Sequence, residues 1–418
     1  MFTLIACKEA VNKDITHMED YNQYLSTTHL PSYEEAISEK TFWSSRLTKD
    51  TSGIGDIAPL AGAYEKLFAE TGEVQYLRNA EILYKKGISK AAVQYRDGFE
   101  RGLAHNLISQ HRFSEADSIL QKSYKGVSHK RASQLMLFDA AMELGKYKEA
   151  YGLLNALKDM SDINYLIRLS KWSDYKGDLD SAIKYMEMAR DMAESMDNVP
   201  LKIWTYSNLG DYYGHAGRVA DAYQYYLKTL ELQPDNAYVK KGIAWIAYAA
   251  EGNASEAHRI LDTLMQNHRI PDYHLLKAEL YHFQGDKENA EKEEAAFIKS
   301  VKEGDYGAMY NTYLIELYVD TNPTKALEIA KQEVGNRATP ETYQLLALAQ
   351  LKNGMKQEAL ATIQNHVVGK TFEPAAQFTT ALIYKANGMD KEVKELKKEL
   401  LTASFEVGPM KTQEIKSL

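Results

Sequence analysis

The chain has 418 residues, with 50 basic and 58 acidic side chains for a net charge of −8. No basic face stands out that would suit nucleic acid, and no run of about 18 apolar residues is present that would span a membrane. Cys7 is the only cysteine, so neither an intramolecular disulfide nor a cysteine-based metal site can form.

In chain order, residues 1–20 open as Met1-Phe2-Thr3-Leu4-Ile5-Ala6-Cys7 and then turn abruptly polar from Lys8 to Asp20. Leu4-Ile5-Ala6-Cys7 is similar to the lipobox of bacterial lipoproteins, in which the cysteine becomes lipidated. That resemblance implies Cys7 as the lipidated residue, with the polar stretch as a tether and a periplasmic or outer-membrane location. Only six residues precede Cys7, fewer than a secretory signal with a basic start and a longer apolar core requires. A cytoplasmic protein that starts at Met1 is the other reading. Residues 21–56 are expected to hold an N-terminal capping helix near Tyr33–Lys49 and a loop. The Gly53-Ile54-Gly55 pair in that loop has no preceding strand and no Gly-Lys-Ser/Thr, so it is not a phosphate loop.

From residue 57 to residue 404 a glycine followed five positions later by an alanine recurs. The units are Gly145/Ala150, Gly177/Ala182, Gly217/Ala222, Gly252/Ala257, Gly285/Ala290 and Gly354/Ala359, with weaker copies at Gly72/Leu77 and Gly388/Val393. Two units keep the alanine without the glycine: His111/Ala116 and Thr321/Ala326. Steps between alanines from Ala116 onward are 34, 32, 40, 35, 33, 36 and 33 residues. A period near 34 predicts stacked helical hairpins. The glycine closes the first helix in a left-handed conformation, and polar residues such as Asp178 and Asn253 suit the turn and the next helix start. The alanine then sits where two helices cross closely. Residues 405–418 are expected to be a C-terminal tail that caps the array.

The unit Tyr206-SN-Leu209-Gly210-DY-Tyr213, followed by Ala222, Tyr226, Thr229 and Pro234, resembles the tetratricopeptide repeat (TPR). The resemblance recurs over most of the chain. It implies an all-α, right-handed TPR superhelix of about ten hairpins, with the first helix of each pair lining a concave groove. Departures are the 40-residue step spanning Met192 to Pro200, the bulky Phe138 and Trp245 in slots expected to be small, and a degenerate stretch from Gly53 to Gly72.

No catalytic constellation is visible. His274 and His282 share a broad helix face with Glu279 between them, but the spacing is not that of a zinc-protease motif, and no metal or cofactor site is expected. The resemblance implies a non-enzymatic scaffold that binds a protein or peptide in its groove, with membrane contact only through a lipid anchor on Cys7; an enzyme whose active site lies in the groove is the alternative. Aromatic residues off the repeat register and polar groove positions mark the expected partner site: Trp204, Ser207, Asp211, Tyr212, Tyr238, Glu279 and His282. Related TPR proteins clamp a C-terminal carboxylate with lysines and asparagines. The matching slots here include Leu135/Asp139, Ile167/Lys171, Gly242/Ile246 and Asn311/Ile315, and no three successive units supply that set.

Overall fold

The structure, a computed structural model, describes residues 15–47, 53–126 and 129–418. Cys7 and the lipobox-like stretch lie outside these residues. The described chain is helical, with no strand among its residues. Two helices come first, α1 (Met18–Ser26) and α2 (Pro31–Arg46). Ten antiparallel hairpins follow. The first five are α3 (Ile54–Thr71) with α4 (Gln75–Lys90), α5 (Arg96–Ser109) with α6 (Phe113–Tyr124), α7 (Lys130–Glu143) with α8 (Tyr147–Ala156), α9 (Ile163–Tyr175) with α10 (Leu179–Ser195), and α11 (Val199–His215) with α12 (Val219–Leu232). The next five are α13 (Ala237–Ala249) with α14 (Ala254–Asn267), α15 (Asp272–Gln284) with α16 (Lys287–Gly304), α17 (Asn311–Thr321) with α18 (Pro323–Asn336), α19 (Pro340–Lys352) with α20 (Lys356–His366), and α21 (Pro374–Ala386) with α22 (Asp390–Leu400). A last helix, α23 (Ser404–Ser417), ends the chain.

Each recurring residue does its local job. Gly72, Gly145, Gly177, Gly217, Gly252, Gly285, Gly354 and Gly388 all take φ between +68° and +80°. His111 adopts φ +56° in the unit that lacks glycine. In the other such unit Asn322 both follows α17 and caps α18, accepting from the Lys325 amide at 3.2 Å, and Pro323 starts the helix. Asp178 and Asn253 cap α10 and α14 through the amides of Ser181 and Glu256. Every repeat alanine from Ala116 to Ala359 is at most 1% exposed. The long step is explained by helix length: α10 and α11 have 17 residues each, against 13 and 14 for α9 and α12. The degenerate segment is a regular helix, α3, with Pro59 tolerated inside it and Gly72 closing it.

Three features depart from the sequence reading. First, the expected tether is folded from Ile15 onward. The amides of Ile15 and Thr16 donate to Glu251 Oε1 at 2.8 and 2.6 Å, and Tyr21 Oη donates to Glu256 Oε1 at 2.7 Å. Tyr21 and Leu25 of α1 belong to the largest apolar cluster, which otherwise runs from Ile163 to Leu280. Second, the N-terminal cap is two helices. Asp235, in the α12–α13 linker, accepts the Ser32 amide at 2.7 Å and so caps α2 from a distant hairpin. Third, the expected tail holds α23 (Ser404–Ser417), which leaves the end of the array and packs on α11, α13, α15 and α21.

The superhelix also touches itself. The hairpin turns of its first half meet the linkers between hairpins of its second half. The Arg269 amide donates to Thr71 O at 2.7 Å, Asn336 Nδ2 donates to His111 O at 3.3 Å, and Arg337 lies 3.5 Å from Glu143. At Gly145 the approach is so close that a Cβ would lie 2.5 Å from Ala338 O. The third hairpin turn therefore abuts the linker between the eighth and ninth hairpins, which sets about six hairpins per superhelical turn.

Candidate functional site

The first helices of the hairpins form the inner face, and α23 lies on it. Trp245 Nε1 of α13 donates to Phe405 O at 3.2 Å. Gly408 interrupts α23 with φ +79° and sits against the Trp245 ring and Glu279. A Cβ there would lie 2.8 Å from Trp245 Cη2, so the close approach as well as the backbone angle requires glycine. Beyond the break, Ile415 is fully buried with Phe378, Ala381 and Leu400. Lys397 Nζ and Lys385 Nζ donate to the carbonyls of Lys416 and Ser417 at 2.7 and 3.1 Å, which satisfies the C-terminal end of α23.

Open space remains on either side of α23. A cavity of 560 Å³ lies between it and α13, α15 and α17, lined by Lys241, Trp245, Asp272, Glu279, His282 and Tyr313 among others. A second, of 350 Å³, lies toward α19 and α21. A third, of 320 Å³, is bounded by Glu143, Lys171, Asp174, Arg337, Glu341 and Glu373, across the contact between superhelical turns. Together the three carry eleven acidic side chains and five lysines and arginines, so the inner face concentrates the negative charge of the chain. Burial pushes the carboxyls of Glu279, Glu316 and Glu406 above their ordinary values. Glu373, which keeps an exposed edge, is pushed up to about 7 by burial and then by repulsion from Glu406, Asp174 and Glu341.

The expected partner residues divide into two groups. Glu279 and His282 line the 560 Å³ cavity. Glu279 accepts from Tyr248 Oη at 2.9 Å, and His282 Nε2 lies 3.0 Å from Glu294. Asp211 and Tyr238 form the other group: Asp211 accepts from Tyr238 Oη at 2.6 Å and from Tyr226 Oη at 2.7 Å. Burial raises the Asp211 carboxyl despite these two bonds. Tyr238 is 59% exposed and Trp204 39%, while Tyr212 is half-buried. Trp204 lies about 10 Å along α11 from Asp211. Ser207 is buried, and its hydroxyl donates to Trp204 O at 3.0 Å within the same helix. The groove register also shifts in two hairpins. Ile246 and Ile315 are core residues, and their neighbours Trp245 and Glu316 face the cavity. Asp139 and Lys171 are engaged by Arg168 at 2.5 Å and Glu143 at 2.9 Å.

Sequence reasoning missed Phe405, Met410, Lys411 and Glu414 of α23. The available signal was the apolar spacing of Phe405, Val407, Met410 and Ile415 around Gly408-Pro409, together with the oversized Trp245. His274 pairs with Glu293 at 2.6 Å instead of sharing a ligand with His282. Among the described residues no group of three His, Cys, Asp or Glu is placed to hold a metal ion, and no helix is long and apolar enough to cross a membrane.

Residues 215–280, which cover the end of α11 through most of α15, match the tetratricopeptide repeat family model. The same hairpin, with a left-handed turn and a buried alanine, recurs on both sides of that segment. Residues 215–280 are tetratricopeptide repeat in kind, set within an array of like hairpins. No curated protein matches the sequence. Among solved structures the chain is similar to the APC/C hetero-tetramer Cut9–Hcn1, with 11% identity over 89% of this chain and 84% of that one at a TM-score of 0.46. It is also similar to yeast Tom70, with 13% identity over 82% of this chain and 92% of that one at a TM-score of 0.37.

Proposed function

We propose that this protein is a non-catalytic scaffold whose concave groove, between α11 and α21, receives a helix or peptide of another protein. One observation carries the reading: α23 lies across the first helices of four hairpins, so this inner face already accepts a helix, with open cavities on either side. Tyr and Trp side chains beside charged groups, as at Trp245, Tyr313 and Glu279, are the composition of binding hot spots. The lipobox-like Cys7 supports an anchored protein of a bacterial envelope, with Asp211, Tyr238, Glu279 and His282 turned to its partner. A photo-crosslinking side chain at Tyr313, in the groove, should capture a protein that the same group at Lys184 on the outer helix α10 does not. Equal capture from both positions, or none from Tyr313, would overturn the assignment.

A further inference from the structure

We propose that the cavity between α17, α19, α21 and α23 receives the cationic head of a lysine or arginine carried by the partner. This rests on the reading of the groove as a protein-binding surface, and it names the chemistry of what that surface binds.

Three features of the cavity point the same way. Its polar rim holds Glu316, Asp320, Glu373, Glu406 and Glu414 against only Lys352 and Lys411. Lys352 is bonded to Asp320, and Lys411 lies 3.3 Å from Glu414. No hydrogen bond or ion pair among the described residues engages the carboxylates of Glu316, Glu373 or Glu406, with Lys411 and the His215 imidazole in their vicinity. Three carboxyls without a bonded partner line one cavity, Glu406 half-buried and Glu316 and Glu373 exposed at its mouth, and together they favour positive charge there.

Gln344 supplies the second feature. It lines this cavity, is only 5% exposed, and its Oε1 has no hydrogen-bond partner. A buried acceptor left unpaired is rare in folded proteins because its desolvation goes uncompensated. A donor-only head group such as an ammonium or guanidinium would satisfy it together with the carboxylates. A carboxylate or phosphate would meet net repulsion, because five carboxylates face two lysines on the rim.

The third feature is the wall. Val319, Leu348, Phe378 and Leu382 give an apolar lining of the kind that the methylene stem of lysine or arginine covers while its charged tip stays polar. The chain supplies its own precedent: Lys411, on a helix laid in the groove, stands at the wall shared by the 350 and 560 Å³ cavities.

A random 12-residue peptide library displayed on phage and selected against the full chain at neutral pH tests the inference. Selected peptides should be enriched in lysine and arginine by about threefold over the library. The double variant Glu316→Gln/Glu373→Gln should bind their synthetic versions at least tenfold more weakly, with a thermal melt close to wild type, since both side chains are exposed and their carboxylates bond to no other described residue. Acetylating the selected lysines should have the same effect. Enrichment of apolar or acidic peptides would overturn the inference and leave the groove reading standing, as would unchanged affinity in the double variant. A selection that yields no binder would count against both. Spermidine displacing the peptides at equal concentration would assign the cavity to a free polyamine and overturn the partner assignment.

Discussion

The indole of Trp245 donates to the main-chain carbonyl of Phe405 at 3.2 Å, tying the sixth hairpin to a helix that begins after the tenth. The bond is made where a small residue is expected, and it holds α23 inside the groove.

Gly408→Ala should loosen α23. The added carbon would meet Trp245 at 2.8 Å and would force a side chain into φ +79°. The expected cost is about 1–3 kcal/mol, confined to the C-terminal region. Hydrogen exchange should accelerate in residues 404–417 and stay unchanged in α3 to α10. Protection of α23 equal to wild type would show that the helix is held without this contact.

Ala222→Leu and Ala257→Leu should each destabilise the array by about 1–3 kcal/mol, because both alanines are buried at helix crossings. Lys228 is not a neutral control, since its ammonium lies 4.6 Å from the Tyr225 ring. Lys331, exposed on α18, is: Lys331→Gln should shift stability by less than about 0.5 kcal/mol. Urea melts with one midpoint for all three variants would contradict the packing.

Stability should fall as pH rises from 5 to 7.5. Glu70 is pushed up to about 7 by burial and then by the nearby Asp235, with Lys240 and Gln233 opposing. A carboxyl raised in the folded state binds its proton more tightly there. Its contribution is complete below the unfolded value near 4.5 and is lost as pH passes through about 7. Lys240, lowered to about 8 by burial, stays charged through most of this window and acts mainly above it. Glu70→Gln should flatten the change by on the order of 1–3 kcal/mol between the two pH values. An identical slope in wild type and variant would refute the assignment.

Cys7→Ser should abolish lipid labelling in a chain expressed with the natural codons upstream of Met1, while the melting midpoint stays within about 1 °C of wild type. Wild type should partition into detergent and take up a palmitate analogue. Continued partitioning by the serine variant would place any membrane attachment elsewhere, and no labelling of wild type would favour a protein without the anchor.

What was legible in the sequence is what is local. A glycine five residues before an alanine encodes a turn and a helix crossing within one hairpin, and Gly217/Ala222 or Gly285/Ala290 do that wherever they occur. Even the units without glycine follow local rules, through the left-handed His111 and the cap at Asn322. What was not legible depends on the pitch of the superhelix, which a period of 34 residues does not specify. The tether reading failed at Ile15 because its partner, Glu251, lies 236 positions away. The tail reading failed at Phe405 for the same reason. Ser207 and Ile315 were misjudged because a slot counted from the turn drifts by a residue when hairpins differ in length.

The contact between successive turns changes how such a chain acquires its structure. An open solenoid can nucleate at any unit and grow by neighbours. Here the carbonyls of Ala69, Gly72 and His111 find their partners 199, 234 and 225 residues later. These contacts cannot form until the sixth to eighth hairpins have left the ribosome, and each closes a very long loop. The first hairpins must therefore wait with part of their surface uncovered, and final consolidation belongs to the end of synthesis. Damage to the sixth to eighth hairpins should be felt at the first two.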